Sequence, residues 1–338
     1  MKAGRFKENY YSDKKECDGS FYHIVEGIEE EALRVIDGEF VMADALSIQN
    51  AEKHRKILLA LSFAGALLTI AFLLYDEAEM YGLIFACGVM LIALFGISRV
   101  SGKLECHRKY VEYRVLAESL RLQFYLRYAG LREKVTKMMP WSIRMEIPWI
   151  AEVIEEVLSE ARAAETPGGE TCVEAERGSL CSISDIWVGD QLAYHKRALS
   201  KTDKKDKTNK YIVRTVFIIT VISYLAALAF EIKEMTDPMP IPIGASVDPA
   251  NVYRAVLKIV LGALSAITIF TGSYYGKLSL DNVMEDHRRM IALYSHAESE
   301  IAERGETPEM IMELAREFLN ENSTWYAYQS KNAPEVSI

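Results

Sequence analysis

Four stretches of the chain are almost free of charge: residues 57–75, 80–98, 215–230 and 255–275. Each approaches the roughly 20 apolar residues that a helix needs to cross a bilayer core of about 30 Å. They predict four membrane spans, taking up roughly 80 residues at that length. The averages of the chain hide this. Over 338 residues, 50% hydrophobic and 26% charged would suit an ordinary soluble protein of two domains. The clustering of the apolar residues excludes a plain cytosolic enzyme. The polar remainder excludes a protein made mostly of membrane.

The charges outside the blocks suggest an orientation. The connector Asp76-Glu77-Ala78-Glu79 has no Lys or Arg, and residues 231–251 between spans three and four hold only Lys233. The opposite flanks are basic, with Lys53, Arg55 and Lys56 before the first span, Arg99, Lys103, Arg108 and Lys109 after the second, several lysines over 201–210, and Lys277, Arg288 and Arg289 after the fourth. The positive-inside rule places both termini and residues 99–210 in the cytoplasm. No signal peptide is expected, because the first 50 residues have no apolar core beside a small-residue cleavage site. Lys258, together with Arg254 at the outer end of the fourth span, is expected either to snorkel to the interface or to face a water-filled path or a subunit interface. The net charge of -9 argues against nucleic acid as a partner, since phosphate contacts need a basic surface. Cys17, Cys87, Cys106, Cys172 and Cys181 show no CxxC spacing and read as unpaired thiols.

The two halves of the chain resemble each other. Gly102-Lys103-Leu104 follows span two and Gly276-Lys277-Leu278 follows span four. His107-Arg108-Lys109 precedes Ala117-Glu118-Ser119, and His287-Arg288-Arg289 precedes Ala297-Glu298-Ser299 at the same interval. His54 and His195 also stand in His-basic-basic triplets beside spans, and Gln49 with Arg55 parallels Gln191 with Arg197. This suggests a duplicated unit of cytoplasmic helix, two spans and cytoplasmic helix.

The helix after span two is expected to run to about Lys137, with a kink at Ser101-Gly102. Its stripe of Leu104, Val111, Val115, Leu122 and Leu126 predicts one buried face. Pro140-Trp141 and Pro148-Trp149 are read as bracketing a turn, followed by an acidic helix over 150–164 with a solvated face, a loop to about residue 182, and a helix over 184–210 leading into span three. A last helix begins at Pro308, with Thr307 as its N-cap.

Glu118 interrupts the apolar stripe, and Glu298 interrupts its counterpart. A buried carboxylate without a partner is costly, so both are expected to be paired. Arg114, four residues before Glu118, faces it along the helix. Arg55 and Arg197 are the alternatives from the helices before the spans. Such pairs would fix helix register or act as a latch. No nucleotide loop, zinc spacing, nucleophile elbow or kinase signature occurs, so no catalytic, cofactor-binding or metal residue is assigned and enzyme activity is not expected. Spans without midplane charges or breaks also speak against a transporter. Small residues four apart, Ala60 with Ala64, Gly82 with Ala86 and Gly262 with Ala266, allow close helix contact within or between copies.

The runs Tyr113-Arg114, Ala117-Glu118, Leu120-Arg121 and Phe124 after one pair of spans, with Trp187, Gln191 and Tyr194-His195 before the next, resemble the prokaryotic SLATT domains, the SMODS and SLOG-associating two-transmembrane effectors. The resemblance covers residues 40–325 as two successive units. The second unit departs from the first, with Tyr294 where the first has Arg114 and Ile301 where it has Arg121. The resemblance implies a membrane effector of a bacterial conflict system. Such an effector would sit in the inner membrane as a homo-oligomer and open a pore or damage the bilayer when activated, with a nucleotide-signalling or sensor protein as partner. A membrane-anchored scaffold or sensor, or a constitutive ion channel, is the alternative. The expected fold is all-α: an integral membrane protein with four transmembrane helices and long helices extending into a cytoplasmic bundle. Its parts are an N-terminal segment (1–42), a first two-span unit (43–137; spans 57–75 and 80–98), an insertion (138–183), a second two-span unit (184–325; spans 211–230 and 255–275) and a tail (326–338).

Overall fold

A computed structural model of the chain describes residues 2–17, 23–25, 28, 30–78, 80–164, 183–236, 249–278 and 280–331. The helices are α1 (Lys2–Lys15), α2 (Glu31–Glu77), α3 (Leu83–Leu104), α4 (Cys106–Tyr128), α5 (Val135–Met138), α6 (Trp141–Glu146), α7 (Pro148–Ala163), α8 (Asp190–Thr236, preceded by a π-turn at Ser184–Gly189), α9 (Pro249–Leu278), α10 (Leu280–Arg304) and α11 (Pro308–Lys331). No strand occurs among the described residues. Four helices are long and apolar enough to cross a membrane. The chain is therefore an all-α, multi-pass membrane protein. The described cysteines, Cys17, Cys87 and Cys106, are free thiols. Cys172, Cys181 and the expected loop at 166–182 lie outside the described residues.

The chain divides into two compact units. Among the described residues, the first holds those within 2–54, 105–199 and 285–331, and the second those within 55–104 and 200–284. The division separates the spans from the other helices, whereas the tandem units of the sequence each run across both.

In the first unit, the opening 42 residues are not merely a polar segment. Phe6 and Tyr10, one turn apart on α1, are buried. The polar face of α1 is tied to the rest of the unit. Lys7 reaches Glu156 at 2.6 Å and Glu152 at 3.2 Å, the Tyr11 hydroxyl donates to Glu156 at 2.7 Å, and the Tyr10 hydroxyl donates to Glu39 at 2.7 Å. Ala32, Leu33, Ile36, Phe40 and Ala43 form the inward stripe of α2.

The helix after span two is interrupted at Glu105 rather than at Ser101-Gly102. Glu105 adopts a left-handed conformation (φ 46°), and α4 restarts at Cys106. That helix also stops well short of Lys137. Gly130 (φ 75°) and its neighbours close it: the Gly130 N–H donates to the Arg127 carbonyl and the Leu131 N–H to the Leu126 carbonyl, both at 2.9 Å. This is a Schellman ending, and glycine meets its left-handed requirement without steric cost. The two Pro-Trp pairs bracket the short helix α6, not a simple turn, and Pro148 opens α7 at a position where its missing N–H is not needed. α7 buries Trp149, Ile150, Val153, Ile154, Val157 and Ala161 and leaves Glu152 and Glu156 more than half exposed. Thr307 caps α11 as expected, its Oγ1 accepting from the Met310 N–H at 3.3 Å.

In the second unit, at most 11% of the apolar 18-residue window of any candidate span is buried within the chain. Phe63, Phe85, Ile92, Phe217 and Ile269 are among its exposed large side chains. So much uncovered apolar surface identifies hydrocarbon as the surroundings of these helices. Thr69, Thr220, Ser265 and Thr268 each turn back onto the carbonyl four residues earlier, at 2.8–3.0 Å. Their hydroxyls are thereby satisfied without water. Gly262 meets the Leu73 side chain, and Ala266 is buried, so this small-residue pair serves contact within the chain. Ala60, Gly82 and Ala86 are exposed.

Candidate functional site: a charged cluster and two histidine pairs

α4 is buried on nearly every face between Val111 and Leu126, so its polar residues must find partners inside the first unit. Arg114, Glu118 and Arg121 follow one another at helical spacing and share a face. Glu118 pairs closely with Arg121, and its other oxygen lies 3.9 Å from Arg114. The sequence-derived Arg114–Glu118 pair therefore exists but is the looser of the two. Arg114 also lies 5.1 Å over the ring of Trp325. Burial opposes the charge of Arg114, yet Tyr110, Tyr194, Glu118 and Asp44 together hold its guanidinium above its ordinary value. Burial likewise opposes Arg121, and Glu118 chiefly offsets it. Burial and the neighbouring Glu118 push the Asp44 carboxyl up, while Arg114 and Arg121 pull it down. Two cations and two acids thus form one coupled cluster.

The other predicted site residues fall elsewhere. Glu298 is exposed, contrary to the expectation that it is buried and paired. The inward stripe of α10 runs through Met290, Tyr294, Ala297 and Ile301, and Glu298 lies beside it, about 100° past Ala297. α10 is covered on one face only, where α4 is covered on almost all. Arg55 and Arg197 are also exposed, and Glu118 takes its partners from its own helix instead. Arg197 stands two residues beyond the buried His195, about 200° around the helix and so on the far side. Lys258 pairs with Glu77 at 3.0 Å, and Arg254 with Glu231 at 2.7 Å. Acids of the connectors thus neutralise both cations near the span end. With Lys258 62% exposed, its pair is a weak contact. Replacing Lys258 by Met should change thermal stability in detergent by less than about 1 kcal/mol. A larger loss would mean that Lys258 is held in place by more than this pair.

Two features of this region escaped the sequence reading. The buried carboxylate of α4 is Glu112. Arg108 donates to it at 2.6 Å and the Trp149 indole N–H at 2.7 Å, while burial pushes its carboxyl above the ordinary range. The Arg108–Glu112 spacing of four was a usable signal, but the partner in α7 was not. The second feature is the arrangement of the four histidines of the His-basic-basic triplets, which meet in twos. The His54 and His107 rings are 4.9 Å apart between centroids. His195 Nδ1 lies 3.0 Å from His287 Nδ1, with ring centroids 5.2 Å apart. Burial lowers His107, whose Nε2–H donates to the Gln329 carbonyl at 3.1 Å. Burial first, then His287, Arg114 and Arg121, lower His195 to about 3, and burial with Arg114 lowers His287. Burial thus favours the neutral form of both rings, and the Nδ1–Nδ1 contact requires one to donate and the other to accept. No group of three or more His, Cys, Asp or Glu among the described residues is placed to hold a metal ion.

The chain matches no family model, no curated protein and no solved structure.

Proposed function

We propose that this protein is a membrane effector that, on activation, opens a pore or disrupts the bilayer as a homo-oligomer. The observation that carries the reading is the state of the spans. Their apolar faces are almost wholly uncovered within one chain, and several of their hydroxyls are turned onto their own backbone. The described span residues of a single copy therefore offer water little polar lining, and a conduit requires further copies. The exposed small residues Ala60, Gly82 and Ala86 suit close contact between such copies. The resemblance of the Tyr113-Arg114, Ala117-Glu118 and Trp187, Gln191, Tyr194-His195 runs to SLATT domains supports the same reading. It adds a role in bacterial anti-phage defence at the inner membrane, with both termini cytoplasmic and a signalling or sensor protein as trigger. The meeting of His54 with His107 and of His195 with His287 supports a tandem duplication.

Inducible expression in bacteria loaded with a membrane-potential dye tests the proposal. Depolarisation on induction, with crosslinked species above the monomer in membranes, is the expected result. A maintained potential together with a monomer would sink it and favour a tethered scaffold, for which unrelated membrane anchors in place of the spans would preserve function.

A further inference from the structure

Among the described residues the chain passes between its two units four times, at residues 54/55, 104/105, 199/200 and 284/285. Within a few residues of each crossing, on the side of the first unit, stands one histidine: His54, His107, His195 or His287. They pair His54 with His107 and His195 with His287. Each pair joins one helix leading into a span to one leading out. α2 and α8 continue through their crossings unbroken, so a pair that clamps them in the first unit clamps the same rods that carry spans one and three.

We propose that the His195–His287 pair forms a proton-sensitive latch, which acidification of the surrounding solution releases. The chemistry is direct. An Nδ1–Nδ1 contact of 3.0 Å requires one nitrogen to donate and the other to accept. Protonating both rings leaves two N–H donors and two like charges facing each other. The groups around the pair make even the first proton unwelcome. Arg114 and Arg121 face it from α4, Tyr194 adjoins it on α8, and Tyr294 stacks on His195 at 5.9 Å. The nearby acids do not cancel this. Glu118 is engaged by the two arginines, Asp44 lies beside the same arginines, and Asp286 and Glu321 are themselves shifted toward their neutral forms by burial.

The sign follows from linkage. Packed, both histidines of the pair have their pKa lowered; apart, each returns to an ordinary value near 6.5. The latch is therefore fully effective above about pH 6.5 and weakens as pH falls below that value. Between pH 7.5 and 5.5 each histidine that stays neutral when packed shifts the equilibrium about tenfold, so the pair shifts it by up to about a hundredfold.

Hydrogen exchange on the full chain in lipid nanodiscs reads this without relying on pore activity. After correction for the intrinsic pH dependence of exchange, residues 190–199 and 285–296 should lose protection between pH 7.5 and 5.5 by about tenfold to a hundredfold. The double substitution His195→Asn, His287→Asn keeps a neutral polar group near each Nδ1 position and should abolish the response. Unchanged protection in the wild type, or a full response in the double variant, overturns the latch. Should that variant fail to fold, imidazole NMR of the selectively labelled wild-type chain decides: neutral His195 and His287 at pH 6.0 are expected, and titration of both near 6.5 with protection intact refutes it. Either outcome is separable from the pore, since depolarisation in cells does not enter the readout.

Discussion

Truncating Trp149 to alanine should unfold or severely loosen the first unit. The indole is 1% exposed and packs among Phe6, Tyr10 and Tyr113, with ring centroids 5.7–6.2 Å away. Removing so large a buried side chain costs roughly 3–5 kcal/mol through lost transfer energy and the cavity left behind. A second cost is added, because the indole N–H is one of the donors to Glu112. Leaving a buried carboxylate short of a hydrogen bond costs about 1–3 kcal/mol more. Arg108 remains, so the carboxylate would not stand alone. Trp149→Phe separates the two effects: it keeps most of the packing and should lose mainly the hydrogen-bond contribution. Thermal unfolding in detergent, followed by near-ultraviolet circular dichroism, checks this. A Phe variant as damaged as the Ala variant would show that the hydrogen bond to Glu112, not the aromatic packing, dominates.

Glu118→Ala should be the next most damaging change. It leaves Arg114 and Arg121 with one nearby acid fewer inside the unit, where Asp44 already tends toward its neutral form. Breaking a fully buried ion pair costs roughly 3–5 kcal/mol. Side-chain exposures of 16% for Glu118, 18% for Arg121 and 33% for Arg114 place this cluster lower, at about 2–4 kcal/mol. A double-mutant cycle refines the expectation. Glu118→Gln should couple more strongly to Arg121→Gln than to Arg114→Gln, because the contact to Arg121 is the close one. Equal coupling to both, or stronger coupling to Arg114, would contradict the geometry.

The spans were legible in the sequence because hydrocarbon imposes one demand on every residue it surrounds. A charge-free block of about 20 residues has few other uses. The cap at Thr307 was legible because capping is local, a side chain meeting an N–H three residues on. The register of Glu118 with Arg114 followed from helix periodicity alone. Other readings failed where the deciding neighbour is distant in sequence. The α1 helix carries little apolar character overall, and Phe6 and Tyr10 gain their role only by packing against Tyr113 and Trp149. Glu298 looked equivalent to Glu118 because the two local patterns match. What differs is coverage: α4 is enclosed and α10 is not.

The sequence by itself thus determined a four-span, all-helical membrane chain and the recurrence of a histidine beside each span. Those properties rest on solvent preference and on contacts within a turn or two of helix. Only the tertiary structure decided that Glu112 is the buried acid of α4, that Arg121 outranks Arg114 at Glu118, and that the four histidines meet in two pairs. The first and third depend on which surfaces a distant helix covers. Helical periodicity sets the direction a side chain takes from its axis, but not what stands on the other side.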